Sequence, residues 1–205
     1  MLAQQFQGTA WTASDVQAAV AAMYSKVATD PSSPFRFPVG PDLARALGYP
    51  ADLLGALPPT VTESFTGVAC PVFAADLAQG DTVLDLGSGA GLDALLAARL
   101  VGSSGRVVGV DLSEAMVAKA QANAASVEAA SVGFRQGYAE AIPADADTFD
   151  AVIVNGLLNL VPDKAAVVRD IFRVLRPGGR AVVAEIVTDG SPPVVSLKTL
   201  EDWFR

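Results

Sequence analysis

The chain has 205 residues, with 14 basic against 22 acidic side chains and a net charge of −8. That length suits one domain with an appended segment, and the acidic balance argues against nucleic acid as a partner. One cysteine and no histidine exclude an internal disulfide framework, Cys-rich zinc sites, histidine-ligated metals and Ser-His or Cys-His catalysis. No metal site is expected. At 51% hydrophobic and 18% charged, the chain has enough apolar material for a sizeable core and is far from a disordered composition.

The opening stretch MLAQQFQGTAW lacks a basic region followed by an apolar run, so no secretory signal is read there. The apolar stretches elsewhere fall short of the roughly 20 residues a membrane span needs. A cytoplasmic protein without a membrane partner is expected. Ser14 or Asp15 is predicted to cap a helix running through Thr29, with Val16, Val20, Met23 and Val27 on one face. The proline-punctuated DPSSPFRFPVGP at 30–41 excludes a regular helix. A short helix is predicted over Asp42–Leu47 and another between Thr62 and Ala78. Residues 1–80 thus read as an N-terminal helical segment, either a cap packed on a sheet or a lid over a site.

Residues 81–187 alternate differently, within a second unit read over 81–205. Apolar, β-branched runs at 81–86, 106–110, 131–135, 149–154 and 179–187 have strand length. Between them lie helix candidates at Leu92–Val101, Ser113–Ala125 and Pro162–Leu175. The last of these places Val167, Val168, Ile171, Phe172, Val174 and Leu175 on one face and ends at the Arg176-Pro177-Gly178-Gly179 run. Strand and helix in alternation predict an α/β, doubly wound, mostly parallel sheet with strands covered on both faces.

Ligands of such sheets bind beyond the carboxyl ends of the strands. The first such end reads VLDLGSGAG (83–91), with Asp85 and then Gly87, Gly89 and Gly91 opening directly into a helix. Glycines let the backbone turn sharply and come close to a ligand. The dinucleotide fingerprint would need a small third residue where Leu92 stands, so nicotinamide chemistry fits poorly. Twenty residues past Gly91 stands Asp111 in VVGVDLS, placed to accept the hydroxyl hydrogens of a ribose. Taken singly, the glycine run reads also as a tight turn, and Asp111 as a helper in capping the helix at Ser113.

Strand, Asp-x-Gly-x-Gly-x-Gly, helix, strand and terminal Asp, in that order, resemble the class I S-adenosylmethionine-dependent methyltransferases, with their Rossmann-like sheet. The resemblance places the methionyl end of the cofactor beside Asp85 and the glycine turn (Gly87, Ser88, Gly89, Gly91). It places the ribose on Asp111 beside Leu112, and the adenine against Tyr138 and Ala139 of GYAEAIP (137–143). Tyr138 stands where the family commonly has an aspartate. Asn155, at the end of the fourth strand, would lie near cofactor and substrate, and LRPGGR (175–180) is also typical of the superfamily.

More narrowly, residues 67–71, 83–102, 155–164, Met23-Tyr24 and FRFPVG (35–40) resemble the arsenite methyltransferase branch. That family holds trivalent arsenic on cysteine thiolates. Cys70 stands where one of them belongs, Gly156 replaces another, and the third lies beyond this chain. One thiolate does not chelate a soft three-coordinate centre, and a small buried hydrophobe is the other reading of Cys70.

The resemblance implies a methyltransferase acting in line on a small-molecule acceptor, with Tyr24, Asn155 and Cys70 as candidate catalytic residues. The alternative is a cofactor-binding subunit that is inactive or depends on a partner. The superfamily's sheet order is 3-2-1-4-5-7-6, and five strands are recognisable here without the last antiparallel pair. The fifth strand would then be an apolar edge, covered by the N-terminal segment, by a second copy in a homo-oligomer, or by a partner chain. The tail Leu197–Arg205, with Leu200, Trp203 and Phe204 at helical spacing, adds an apolar stripe of the kind found at interfaces.

Overall fold

The computed structural model of the protein describes residues 11–187 and 189; the tail stripe at Leu200, Trp203 and Phe204 lies outside them. Helix α1 (Ala13–Thr29) is capped two residues before the nearer of the expected caps. Thr12 is the N-cap, its hydroxyl oxygen accepting from Asp15 N–H while the Asp15 carboxylate accepts from Thr12 N–H. This reciprocal capping box satisfies two orphan amides of the first turn. Val16, Val20 and Val27 are buried, and Met23 is only partly so.

Three short helices follow: α2 (Pro41–Ala46), α3 (Ala51–Gly55) and α4 (Pro59–Thr62). The helix expected between Thr62 and Ala78 is absent, and a single 3-10 turn at Pro71–Phe73 stands there instead. Each short helix has a proline at its entrance (Pro41, Pro50, Pro58), where the fixed φ and missing N–H suit a first turn.

The rest is β1 (Thr82–Leu86), α5 (Leu92–Val101), β2 (Arg106–Asp111), α6 (Glu114–Ser126), β3 (Val132–Gln136), β4 (Phe149–Asn155), α7 (Lys164–Val174) and β5 (Leu175–Ala184). All pairings are parallel and the strand order is β3-β2-β1-β4-β5. β1 is central, with Val83, Leu84 and Leu86 at most 1% exposed. Each such side chain contributes about 1.5–3 kcal/mol by leaving water.

Two apolar cores flank the sheet. On one side α5 and α6 share a core with Tyr49, Leu54, Leu57, Val61 and Phe65 of the N-terminal segment. That explains why α5 is buried nearly all round, from Leu92 to Ala97. On the other side Val167, Ile171 and Val174 of α7 pack over Leu84, Phe149 and Val152.

Three expectations are corrected here. Val168 and Phe172 lie on the outer face of α7, 55% and 82% exposed, because the helix meets the sheet along a single stripe. Leu175 belongs to β5, and the Pro-Gly-Gly run sits within that strand as an irregularity between the Phe149–Leu175 and Ala151–Arg180 pairs. β5 therefore ends at Ala184, and it has no fully buried residue, unlike a strand covered on both faces. β3 is likewise an outer strand, with Phe134 its one buried residue.

The order reverses between β1 and β4, and a crevice opens outside the carboxyl ends of strands at such a switch point.

Candidate functional site

The crevice is a cleft whose space, counted out into open solvent, is about 760 Å³. Its floor comes from the strand ends and the turns that follow them: Leu86 and Gly87 at β1, Val110 to Ser113 at β2, Gly137 to Glu140 after β3, and Asn155 to Leu157 at β4. α1 forms the opposite wall through Gln17, Val20, Ala21 and Tyr24. Gln17 reaches across to Glu140 (Nε2 donating to Oε1, 3.2 Å), and Ser25 and Ser113 join their hydroxyls at 3.0 Å. Behind α1, the Val27 and Ala28 carbonyls accept from Ser64 Oγ at 2.9 Å and Lys119 Nζ at 3.0 Å, which fastens the helix to the body.

A second, inner cavity adjoins the cleft. It is lined by Asp85, Ser88, Asp93 and Phe65 among others, and shares Thr66, Gly87, Gly89 and Asn155 with the outer cleft. The glycine turn is therefore the partition between the two spaces. Gly87 and Gly89 both have positive φ (+78° and +50°), and nothing lies within 4 Å of where a Gly89 Cβ would be. A side chain there would project into open space that a ligand needs. Gly91 lies outside both cavities, against Phe134 and Ala120.

Asp111 accepts from Gly89 N–H through Oδ2 and from Ser113 N–H through Oδ1, both at 2.8 Å. The first bond fixes the glycine turn, the second the start of α6. Burial pushes its carboxyl upward, opposed by these amides. Asp85 is 2% exposed, and among the described residues its Oδ2 has no partner, nor does Ser88 Oγ. Burial, and then the neighbouring Asp93 charge, raise the Asp85 carboxyl well above the usual range. Leu112, Tyr138 and Ala139 line the outer cleft, with Tyr138 half exposed.

The three candidate catalytic residues separate. Tyr24 lines the cleft, stacked on Phe37 and hydrogen-bonded to Thr66. Burial and the Asp111 charge push its phenol up to about 12, so it is a neutral donor. Asn155 borders both cavities, but its amide is spent inside the protein. Oδ1 accepts from Val68 and Ala69 N–H at 2.8 and 3.3 Å. Nδ2 faces Asp93 Oδ2, Ala69 O and Tyr49 Oη at 2.9, 3.0 and 3.1 Å. It holds the 66–69 segment in place rather than meeting a substrate. Cys70 lines neither cavity, and burial pushes its thiol up to about 12, so it is a packed, protonated thiol.

Sequence reasoning missed Asp93, Tyr49, Thr66 and Gln17. Asp93 left a signal: it interrupts the apolar run Leu92, Ala94, Leu95 and Leu96. The others depend on contacts between distant segments.

Among the described residues, no helix is long and apolar enough to cross a membrane, and no group of three or more Asp, Glu, Cys or His side chains could hold a metal ion.

Comparison with known proteins finds methyltransferases. An arsenite methyltransferase of Halobacterium salinarum is 43% identical over 143 residues, 69% of this chain and 36% of that protein. A demethylmenaquinone methyltransferase of Lactococcus lactis is 40% identical over 106 residues, 52% of this chain and 42% of that protein. The chain thus spans less than half of either relative. The crystal structure of an arsenic(III) S-adenosylmethionine methyltransferase from Chlamydomonas reinhardtii is 33% identical, with TM-score 0.54, covering 72% of this chain and 50% of that one. The family model described as "Methyltransferase domain" matches residues 77–205, the stretch that carries the glycine turn, Asp111 and the five parallel strands. The chain belongs to this methyltransferase-domain family, as a class I S-adenosylmethionine-dependent member close to the arsenite methyltransferase branch.

Proposed function

We propose that the chain transfers a methyl group from S-adenosylmethionine to an uncharged small-molecule acceptor held in the outer cleft beneath α1. One observation carries this reading: the Asp111 carboxylate stands at the end of β2, braced by the Gly89 and Ser113 amides, beside a glycine turn open to the cleft. The residues suit the cofactor. Asp111 would take the ribose hydroxyls, and Leu112, Tyr138 and Ala139 the adenine. Gly87 and Gly89 would let the chain of the cofactor pass between the two cavities, and the unpaired Asp85 Oδ2 would receive a donor at its far end.

When bound, the cofactor supplies a sulfonium methyl that is already electrophilic, so the protein's task is alignment and exclusion of water. Orientation of this kind is worth up to roughly 7–11 kcal/mol of barrier. Val20, Ala21, Leu157, Leu160 and Val161 make an apolar wall for an acceptor, and among the described residues no Lys or Arg lines either cavity. With Tyr24 and Cys70 both held protonated, the acceptor atom would arrive as a ready nucleophile, such as a sulfur or an activated carbon. α1 then works as a wall of the site, not merely as a cap.

The relatives' names span arsenite and quinone acceptors, and the position of Cys70 supports the uncharged organic class over arsenic. The test is calorimetric binding of S-adenosylhomocysteine, followed by methyl transfer from labelled cofactor to a panel of thiols and quinols. Absence of binding would overturn the reading. Binding without turnover on any acceptor would favour the alternative, a subunit that depends on a partner. Among the described residues β5 is an edge of the sheet, and light scattering over a concentration series tests whether a second copy docks there.

A further inference from the structure

We infer that Glu185 is a positioning residue for the transfer: through Asn159 it fixes the turn that carries the acceptor's apolar wall. This rests on the reading just proposed.

The wall stands on a slight element. A single 3-10 turn, Leu158–Leu160, lies between β4 and α7, and none of its residues is fully buried. Side chains three apart share a face in such a turn. Leu157 and Leu160 are so spaced, joined by a 2.9 Å bond from Leu160 N–H to Leu157 O, and both line the outer cleft. Leu157 also abuts the glycine turn, since a Cβ on Gly87 would come within 3.2 Å of its Cδ1. A displacement of the 3-10 turn therefore moves the acceptor wall relative to the glycine turn. The element has little packing of its own to resist that.

Glu185 supplies the hold. β4 and β5 part after the Asn155–Ala184 pair, where Gly156 N–H donates to Ala184 O at 2.9 Å. Glu185 is the next residue. Its Oε2 accepts from Asn159 N–H at 3.1 Å and its Oε1 from Asn159 Nδ2 at 3.2 Å. Asn159 Nδ2 also donates to Ile186 O at 2.8 Å, and Ile186 N–H steadies the carboxylate by donating to Oε1 at 3.2 Å. Two oxygens on two donors of one residue set its orientation as well as its distance, and the charge strengthens both bonds. Among the described residues lining the cleft there is neither Glu185 nor Asn159, so the carboxylate acts through the turn and not on the acceptor. Its charge still reaches the cleft, where it adds to the upward push on the Tyr24 phenol. Because transfer is sensitive to misplacements of about 1 Å, releasing this grip costs turnover before it costs cofactor binding.

The test measures acceptor kinetics, cofactor affinity and amide exchange in Glu185→Ala and Asn159→Ala, with the best-used member of the thiol and quinol panel as acceptor. Each variant should lose roughly ten-fold or more in kcat/KM for the acceptor and change S-adenosylhomocysteine affinity by less than about three-fold. The double variant should match the worse single one within about two-fold, since both cut the same contact. Glu185→Gln keeps an oxygen for the Asn159 amide and should recover most of the loss. In Glu185→Ala, exchange of the Asn159 and Leu160 amides should quicken roughly ten-fold or more while the β4 amides stay unchanged. Unchanged kcat/KM or exchange, additive losses in the double variant, or an unrescued Glu185→Gln overturns the inference. Should Glu185→Ala not fold, Asn159→Ala decides by the same kinetic comparison. A wild-type protein that turns over no acceptor instead defeats the methyl-transfer reading beneath.

Discussion

Tyr49 donates its hydroxyl hydrogen to Asp93 across 2.7 Å, and through this one buried bond the N-terminal segment grips the helix that follows the glycine turn. Asn155 donates to the other oxygen of the same carboxylate and accepts from the amides of Val68 and Ala69. Three segments far apart in sequence therefore converge on one anion at the base of the site. Burial raises the Tyr49 phenol strongly, and the Asp93 charge adds to this, so Tyr49 keeps the proton it donates. The network costs desolvation of a carboxylate and returns a defined placement of the 66–69 segment against the outer cleft.

The first prediction concerns pH. Burial pushes the Asp93 carboxyl up from 3.8 to about 6, against the opposing donors Asn155 and Tyr49. Between those two values the folded protein holds a proton that the unfolded chain has released, so stability falls as pH rises from about 4 through about 6. The loss is on the order of 3 kcal/mol at 1.36 kcal/mol per pK unit. Asp85, raised in the same direction, extends the fall. Urea unfolding of cofactor-free protein at pH 4.5 and 7 should show it, and Asp93→Asn should flatten it. An equal pH dependence in the two proteins would remove Asp93 as its source.

The second concerns Asp111. Asp111→Ala should weaken S-adenosylhomocysteine binding by more than about 1 kcal/mol through loss of a charge-assisted acceptor. It should also lower stability by about 1–3 kcal/mol, because the Gly89 and Ser113 amides lose their partner. Asp111→Asn keeps one acceptor oxygen and separates the two effects. Calorimetry and unfolding are read together; unchanged affinity in a folded Ala variant would place the ribose elsewhere.

The β1–α5–β2 unit was legible because its signals are local. An apolar run ends in glycines at fixed spacing, and the next apolar run ends in an acid. The short helices α3 and α4 were not, since five and four residues give too little periodicity to separate from loop. In α7 the helix was legible but its buried face was drawn too wide. Periodicity cannot say that a sheet covers only the stripe Val167, Ile171, Val174 and leaves Val168 and Phe172 outside. Asp93 in a first helical turn reads as a charge complementing the helix dipole. Only the fold of residues 49–69 over α5 turns it inward. Asn155 stood at the right strand end, yet what its amide binds was set by Val68 and Ala69, which no local pattern links to it.

That α7 stripe gives the third prediction. Ile171 is 6% exposed and Phe172 82%. Ile171→Ala should cost about 2–5 kcal/mol of stability through lost burial and a cavity. Phe172→Ala, one residue on, should stay within about 0.5 kcal/mol. Thermal or denaturant unfolding measures both. A cost above about 1 kcal/mol at Phe172 would mean that its ring is covered in solution.

The last prediction is that this chain does not methylate arsenite, although its relatives include arsenite methyltransferases. Trivalent arsenic is soft and is held by several thiolates at once, and the chain contains one cysteine. That thiol lies outside both cavities, and burial and then the Asp93 charge hold it protonated, at about 12, so at neutral pH it offers almost no thiolate. Gly156, the resembled family's second cysteine position, borders the cleft, and a Cβ there would come within 3.2 Å of Val68 Cγ1. Restoring a cysteine at that position would therefore require Val68 to move as well. Two measurements are expected to agree. Incubation with arsenite, glutathione and S-adenosylmethionine should yield no methylated arsenicals, and Cys70→Ser should leave turnover of any organic acceptor unchanged within about two-fold. Methylated arsenic that vanishes in Cys70→Ser would show that the thiol is reached and ionised during turnover, and the organic-acceptor reading would give way to the arsenic one.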